Sequence, residues 1–196
     1  MNASAPALGE WVAMWRATLP GFQAESLWST GRKRWRPLQT RRWEGVEPLR
    51  EMAQDRTFDL LGVPSPDSFH TLHVDTYQYI AYMGNKLEVG GEPDSKPSLI
   101  DHRTGLEGVL RQCGTTCGFH WGTWISPTRF ALGGWSDAAD HSQWKHGTLW
   151  IYSLTDSTVA GYATRIVSSG DYERYLGAWK DWLLLRYRAW EARQHS

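Results

Sequence analysis

The segment RQCGTTCGFHW, residues 111–121, holds both cysteines of the chain, Cys113 and Cys117, with His120 close behind. A metal site, a redox pair and a pinned turn are the chemistries open to it. Zinc takes four N, S or O ligands. No second paired-ligand motif occurs in the chain, so no metal is expected. The C-x-x-x-C spacing differs from the C-x-x-C of thioredoxin-like redox sites. A disulfide needs Cα atoms about 4.4–6.8 Å apart, and a glycine-bearing loop can bend to that. The expectation is a structural turn, bridged in an oxidising compartment and carrying two thiols in a reducing one.

Three further stretches could do chemistry. In HTLHVDTY, strand alternation puts His73, Asp75 and Tyr77 on one face. A carboxylate two residues from a histidine can orient its imidazole. No partner nucleophile is identifiable, and the G-x-S-x-G elbow of hydrolases is missing. The stretch WSDAADHSQWKHG, residues 135–147, gathers Asp137, Asp140, His141 and His146 between Trp135 and Trp144. Polar groups framed by rings fit a sugar or other small ligand; they equally fit an exposed hairpin loop. The third stretch, TGRKRWRPLQTRRW, carries six cations (Arg32, Lys33, Arg34, Arg36, Arg41, Arg42), two tryptophans and no acid. Cations beside aromatic rings suit phosphates and bases. The plainer reading is a solvated, partly extended connector whose arginines pair with Glu44, Glu47, Glu51 and Asp55 just downstream. Residues 92–98 lack the spacing of a calcium loop. No phosphate-cradling glycine motif occurs, and no cofactor is expected.

The chain that must position these residues has 196 residues, enough for one domain with terminal appendages. Its 21 basic and 21 acidic side chains cancel, so no overall field gathers nucleic acid or acidic substrates. The 13 tryptophans are unusual, and none lies between residues 44 and 120. They build either a core of bulky rings or an aromatic binding face. No run approaches the roughly 18 apolar residues of a membrane span. The N-terminus lacks a secretory pattern. It reads as cytoplasmic as written, and as periplasmic or cell-envelope if a leader has been removed.

Periodicity predicts a short amphipathic helix over 8–19, with Leu8, Trp11, Val12, Trp15 and Leu19 on one face, and a second over 47–63. From residue 64 the texture is β-branched and aromatic, with short polar turns that suit antiparallel strands. Two stretches repeat this grammar: Gly90-Gly91 matches Gly133-Gly134, and Ser98–Asp101 matches Trp150–Ser153. A unit of this length resembles a propeller blade, with room for about two. From Ser169 a helix is expected, capped by Ser169 or Asp171. Tyr172, Tyr175, Leu176, Trp179, Trp182, Leu183 and Trp190 form its apolar stripe.

GGEPDSKPSLIDHRTG, then CGTTCGF with a nearby tryptophan, then TLWIYSLTDSTVAGY, in that order, resemble an uncharacterised bacterial protein family whose members often begin with a lipoprotein leader. The resemblance covers about residues 64–163. It implies a β-rich, propeller-like domain and an envelope location, and it brings no reaction with it. This chain departs from the pattern in lacking a leader and a lipid-bearing N-terminal cysteine.

The expected fold is mainly β with terminal helices. Residues 1–63 form a helical and basic arm. Residues 64–167 form an antiparallel domain of two propeller-like repeats or a small sandwich. Residues 168–196 form a covering amphipathic helix. The leading functional expectation is a non-catalytic binding or protein-interaction module, its partner an unknown protein or a small carbohydrate-like ligand. A hydrolase-like enzyme would need His73, Asp75 and one of His120, His141 or His146 to converge. A nucleic-acid role through residues 32–42 is disfavoured.

Overall fold

The structure, a computed structural model, describes residues 5–19, 22–44, 60–75, 78–83, 86–91, 94–138 and 141–195. Among them run β1 (Trp28–Arg34), β2 (Gln39–Arg42), β3 (Gly62–Pro64), β4 (His70–His73), β5 (Gln78–Met83) and β6 (Lys86–Gly91). Then follow β7 (Ser98–Asp101), β8 (Leu106–Val109), β9 (Cys117–Ser126), β10 (Arg129–Ala138), β11 (His141–Ser153) and β12 (Thr158–Ser168). Helices α1 (Gly9–Thr18) and α2 (Ser169–Gln194) stand at the two ends. No helix of the described residues is long and apolar enough to cross a membrane.

The strands form two five-stranded sheets, ordered β1-β12-β11-β10-β9 and β2-β8-β7-β4-β3, with β5-β6 as a separate hairpin. Every pairing is antiparallel. The connections between successive strands from β9 to β12, and between β7 and β8, are too short to carry the crossover a parallel pair requires. The first sheet is a meander of β9 to β12 closed by β1; the second has a similar up-and-down order, β3-β4-β7-β8 closed by β2, interrupted by the β5-β6 hairpin between β4 and β7. The second part of the sequence repeat falls on matching hairpins: β7 turns into β8 with Asp101 opposite Leu106, and β11 turns into β12 with Ser153 opposite Thr158. The glycine pairs do not match in setting. Gly90-Gly91 lies in the two-stranded hairpin, whereas Gly133-Gly134 lies mid-strand in the first sheet.

The sheets share one core. Trp124 of β9 donates its indole N–H to the Val63 carbonyl of β3 at 2.8 Å. On the first sheet α1 and α2 lie together, Trp15 stacked on Tyr175 with ring centroids 4.4 Å apart. Glycine makes the floor for α1. A Cβ at Gly133 would overlap the Trp11 indole, and one at Gly147 would overlap Trp15. Helix α2 buries Tyr175, Trp179, Trp182 and Leu183. Trp179 donates to the His120 carbonyl at 2.7 Å. Its N-cap is Ser168, one residue before the expected cap. The Ser168 hydroxyl accepts from the Asp171 amide, and the Asp171 carboxylate accepts from the Ser168 amide.

Two expectations change here, and a third is only partly described. The basic run is not a connector but two strands in different sheets, β1 on β12 and β2 on β8. Its described ion pairs reach acids remote in sequence, Arg32 to Asp156 at 2.7 Å and Arg41 to Glu107 at 2.6 Å. The expected 47–63 helix falls mostly outside the described residues; its described part, Leu60 and Leu61, is helical and ends at Gly62, which opens β3. The expected loop over 135–147 is largely paired strand, with Asp137 opposite Lys145.

Candidate functional site

The split basic run lines a cleft between the two sheets. Cross-strand partners share a face of the sheet. Arg32 lies opposite Ala160, and its guanidinium is used up by Asp156 and Thr158 on the outside. Lys33 lies opposite the buried Val159 and leans over the space between the sheets. The chain then crosses from the first sheet to the second. The Trp35 amide bonds to the Ser157 carbonyl at 2.8 Å and the Leu38 amide to the Val109 carbonyl at 2.7 Å.

Under that crossing opens a cleft of about 390 Å³. Lys33, Arg34, Arg36 and Arg111 line it together with Trp35, Leu38, Leu110, Gln112, Tyr152 and Val159, and among the described residues no carboxylate does. None of the four cations forms an ion pair among the described residues. The floor is fixed. Trp35 donates its indole N–H to the Ser153 carbonyl at 3.1 Å and meets the Tyr152 ring edge-on at 5.3 Å. Tyr152 stacks on Phe130 at 4.9 Å. Burial pushes the Tyr152 hydroxyl up to about 12, against the pull of Arg111 beside it, so it stays a neutral donor. The Arg111 guanidinium lies 3.9 Å over the Trp150 ring. Stacking holds the planar group flat, with one N–H engaged by the Tyr152 hydroxyl and further N–H donors on its edge.

The sequence-predicted residues are placed elsewhere. Cys113 and Cys117 form a disulfide with Cα atoms 5.8 Å apart. The bridged turn is tied to Ser95 by paired backbone bonds between Ser95 and Cys113. Asp75 is buried and accepts from the Ser95 hydroxyl at 2.6 Å and the Lys96 amide at 3.1 Å. Its carboxylate thus supports the turn. His73 lies opposite Ser98 and near Glu107. Burial alone would raise the Glu107 carboxyl, but Ser98 and Arg41 beside it hold it below its ordinary range.

The described residues of 135–146 occupy both faces of the β10-β11 hairpin. Trp135, Asp137 and Lys145 share one face. There Lys145 pairs with Asp137 and covers the Trp135 ring, and Tyr172 packs 5.0 Å from that ring. Trp144 and His146 alternate onto the other face. There His146 bonds through Nδ1 to the Thr164 carbonyl at 2.9 Å, and Trp28 meets its ring edge-on at 5.3 Å. The two tryptophans therefore do not frame a common ligand. Asp140 lies outside the described residues; so does the side chain of His141, whose backbone pairs with Ala138. His120 is enclosed between strand and helix, 4.3 Å from the Trp179 ring and 5.7 Å from that of Tyr175, and burial pulls it down to about 3. Among the described residues no group of histidine, cysteine and carboxylate side chains could hold a metal.

Sequence reasoning missed Arg111, Tyr152 and Trp150 as site residues. Only the cation run pointed at the cleft, and nothing in it tells which cations will meet acids across a sheet. A second polar cluster also went unnoticed. His70 stands opposite Asp101, and His102 bonds to the Thr71 hydroxyl at 2.9 Å.

Compared with protein-family models, with curated proteins and with solved structures, the chain finds no match in any of the three.

Proposed function

We propose that the protein is a non-catalytic binding module and that its ligand is an anion held in the cleft between the sheets. One observation carries this reading: Lys33, Arg34, Arg36 and Arg111 line one cleft, and among the described residues no acid lines it with them. Crowding like charges costs stability unless a ligand of opposite sign offsets it. The catalytic alternative has less support. His120 is enclosed, His146 faces the opposite side of its sheet from Asp137, and the Asp75 carboxylate serves the cystine turn. A carbohydrate on Trp135 also has less support, because Lys145 and Tyr172 cover that ring. The shared meander order favours reading the two sheets as copies of one blade-like unit, with the cleft at their junction.

Thermal unfolding tests the anion site. A ligand that binds only the folded state raises Tm by mass action, about 2.7 kcal/mol at a hundredfold excess over Kd. Phosphate should raise Tm relative to chloride at matched ionic strength. The K33Q/R34Q/R36Q/R111Q variant should lose the phosphate response. An equal response in both proteins sinks the proposal.

A further inference from the structure

We infer that the cleft takes a small amphiphilic anion, a single carboxylate- or phosphate-type head on a compact apolar body. This rests on the anion-binding reading above and makes it narrower. Two features separate an amphiphile from a bare ion. The first is the unpaired cation set. The second is apolar surface left open beside it: Leu38 is 67% exposed, and Trp35 is only half-buried. A bare phosphate would use the first and leave the second in water. An apolar body lying on Trp35 and Leu38 would remove that surface from water.

The cations are also unequal. Arg111 is half-buried, stacked on Trp150 and set beside the Tyr152 hydroxyl, so it offers a directed fork at the inner end of the cleft. Lys33, Arg34 and Arg36 are exposed at the rim. Arg111 thus binds the head, and the rim cations draw it in. The volume of about 390 Å³ sits at the small end of ligand pockets, which run roughly 300–1,000 Å³. Nucleic acid fits less well. Its binding needs cations tracking a groove over several nucleotides, whereas here Arg32 and Arg41 of the same run are spent on acids.

Calorimetric titration of the full chain tests this with decanoate, decanol, acetate, phosphatidylglycerol vesicles and a ten-residue oligothymidylate. Decanoate should bind one-to-one, at least tenfold more tightly than decanol or acetate. Arg111→Gln should weaken it at least tenfold. If that variant misfolds, K33Q/R34Q/R36Q, which changes only exposed side chains, should still weaken it several-fold. Arg111-dependent binding to vesicles in place of free decanoate would assign the same head and body chemistry to a membrane lipid. Arg111-dependent binding of acetate or oligothymidylate without decanoate would overturn the amphiphile and leave the anion site standing. No Arg111-dependent binding of any probe would overturn both.

Discussion

His120 shows how far one side chain's role departs from what its neighbours in sequence imply. Beside two cysteines it resembles a ligand; in space it is a core ring between β9 and α2. Its position has a thermodynamic consequence. Burial lowers its pKa from 6.5 to about 3, so the unfolded chain takes up a proton that the folded state refuses. Stability therefore falls as pH drops from about 6.5 toward 3, at up to about 1.4 kcal/mol per pH unit. His70, lowered chiefly by burial, adds to the same slope. Carboxylates whose pKa is lowered on folding, such as Glu107 and Asp101, contribute only at lower pH. His120→Phe should flatten the dependence of unfolding free energy on pH between about 6.5 and 5, measured by denaturant titration. An unchanged slope would mean that His120 already takes up its proton when folded. Of the cleft residues, the cations at 33, 34 and 36 were legible as a charge run. Arg111 was not, because its value comes from lying over Trp150, which is 39 positions away in the chain.

Elements were more legible than contacts. The two terminal helices follow from apolar spacing, and the strands follow from β-branched runs broken by polar turns. What periodicity could not supply was partner choice. Nothing local says that β1 and β2 close different sheets, since β-strand pairing with β12 and β8 is a long-range event. The 135–147 stretch misled because its Asp and Ser content reads as turn, while the covered Trp135 and Val167 faces favour paired strand. The stripe of α2 was read directly, and it yields a prediction. Trp179→Ala removes a buried ring and its bond to the His120 carbonyl, and should cost about 3–5 kcal/mol. Leu185→Ala, at a side chain 64% exposed, should stay within about 0.5 kcal/mol. Equal losses in urea unfolding would place α2 differently.

The whole chain is electrically neutral, and that balance hides an uneven distribution. Some cations meet acids across the sheets, while Lys33, Arg34, Arg36 and Arg111 line the cleft where the sheets meet, with no acid among its described lining residues. Net charge argued against an electrostatic role, but it does not report how the cations are distributed. Tryptophan follows the same logic. Trp11, Trp15, Trp121 and Trp179 fill the core under the helices, whereas Trp35 and Trp150 shape the cleft. NMR of the arginine Nε–H groups during decanoate titration is the decisive measurement. Resonances of Arg111, Arg34 and Arg36 should shift together and saturate, while those of Arg32 and Arg41, already held by Asp156 and Glu107, should stay in place. Shifts spread evenly over all five arginines, or none at Arg111, would contradict a binding cleft at this junction.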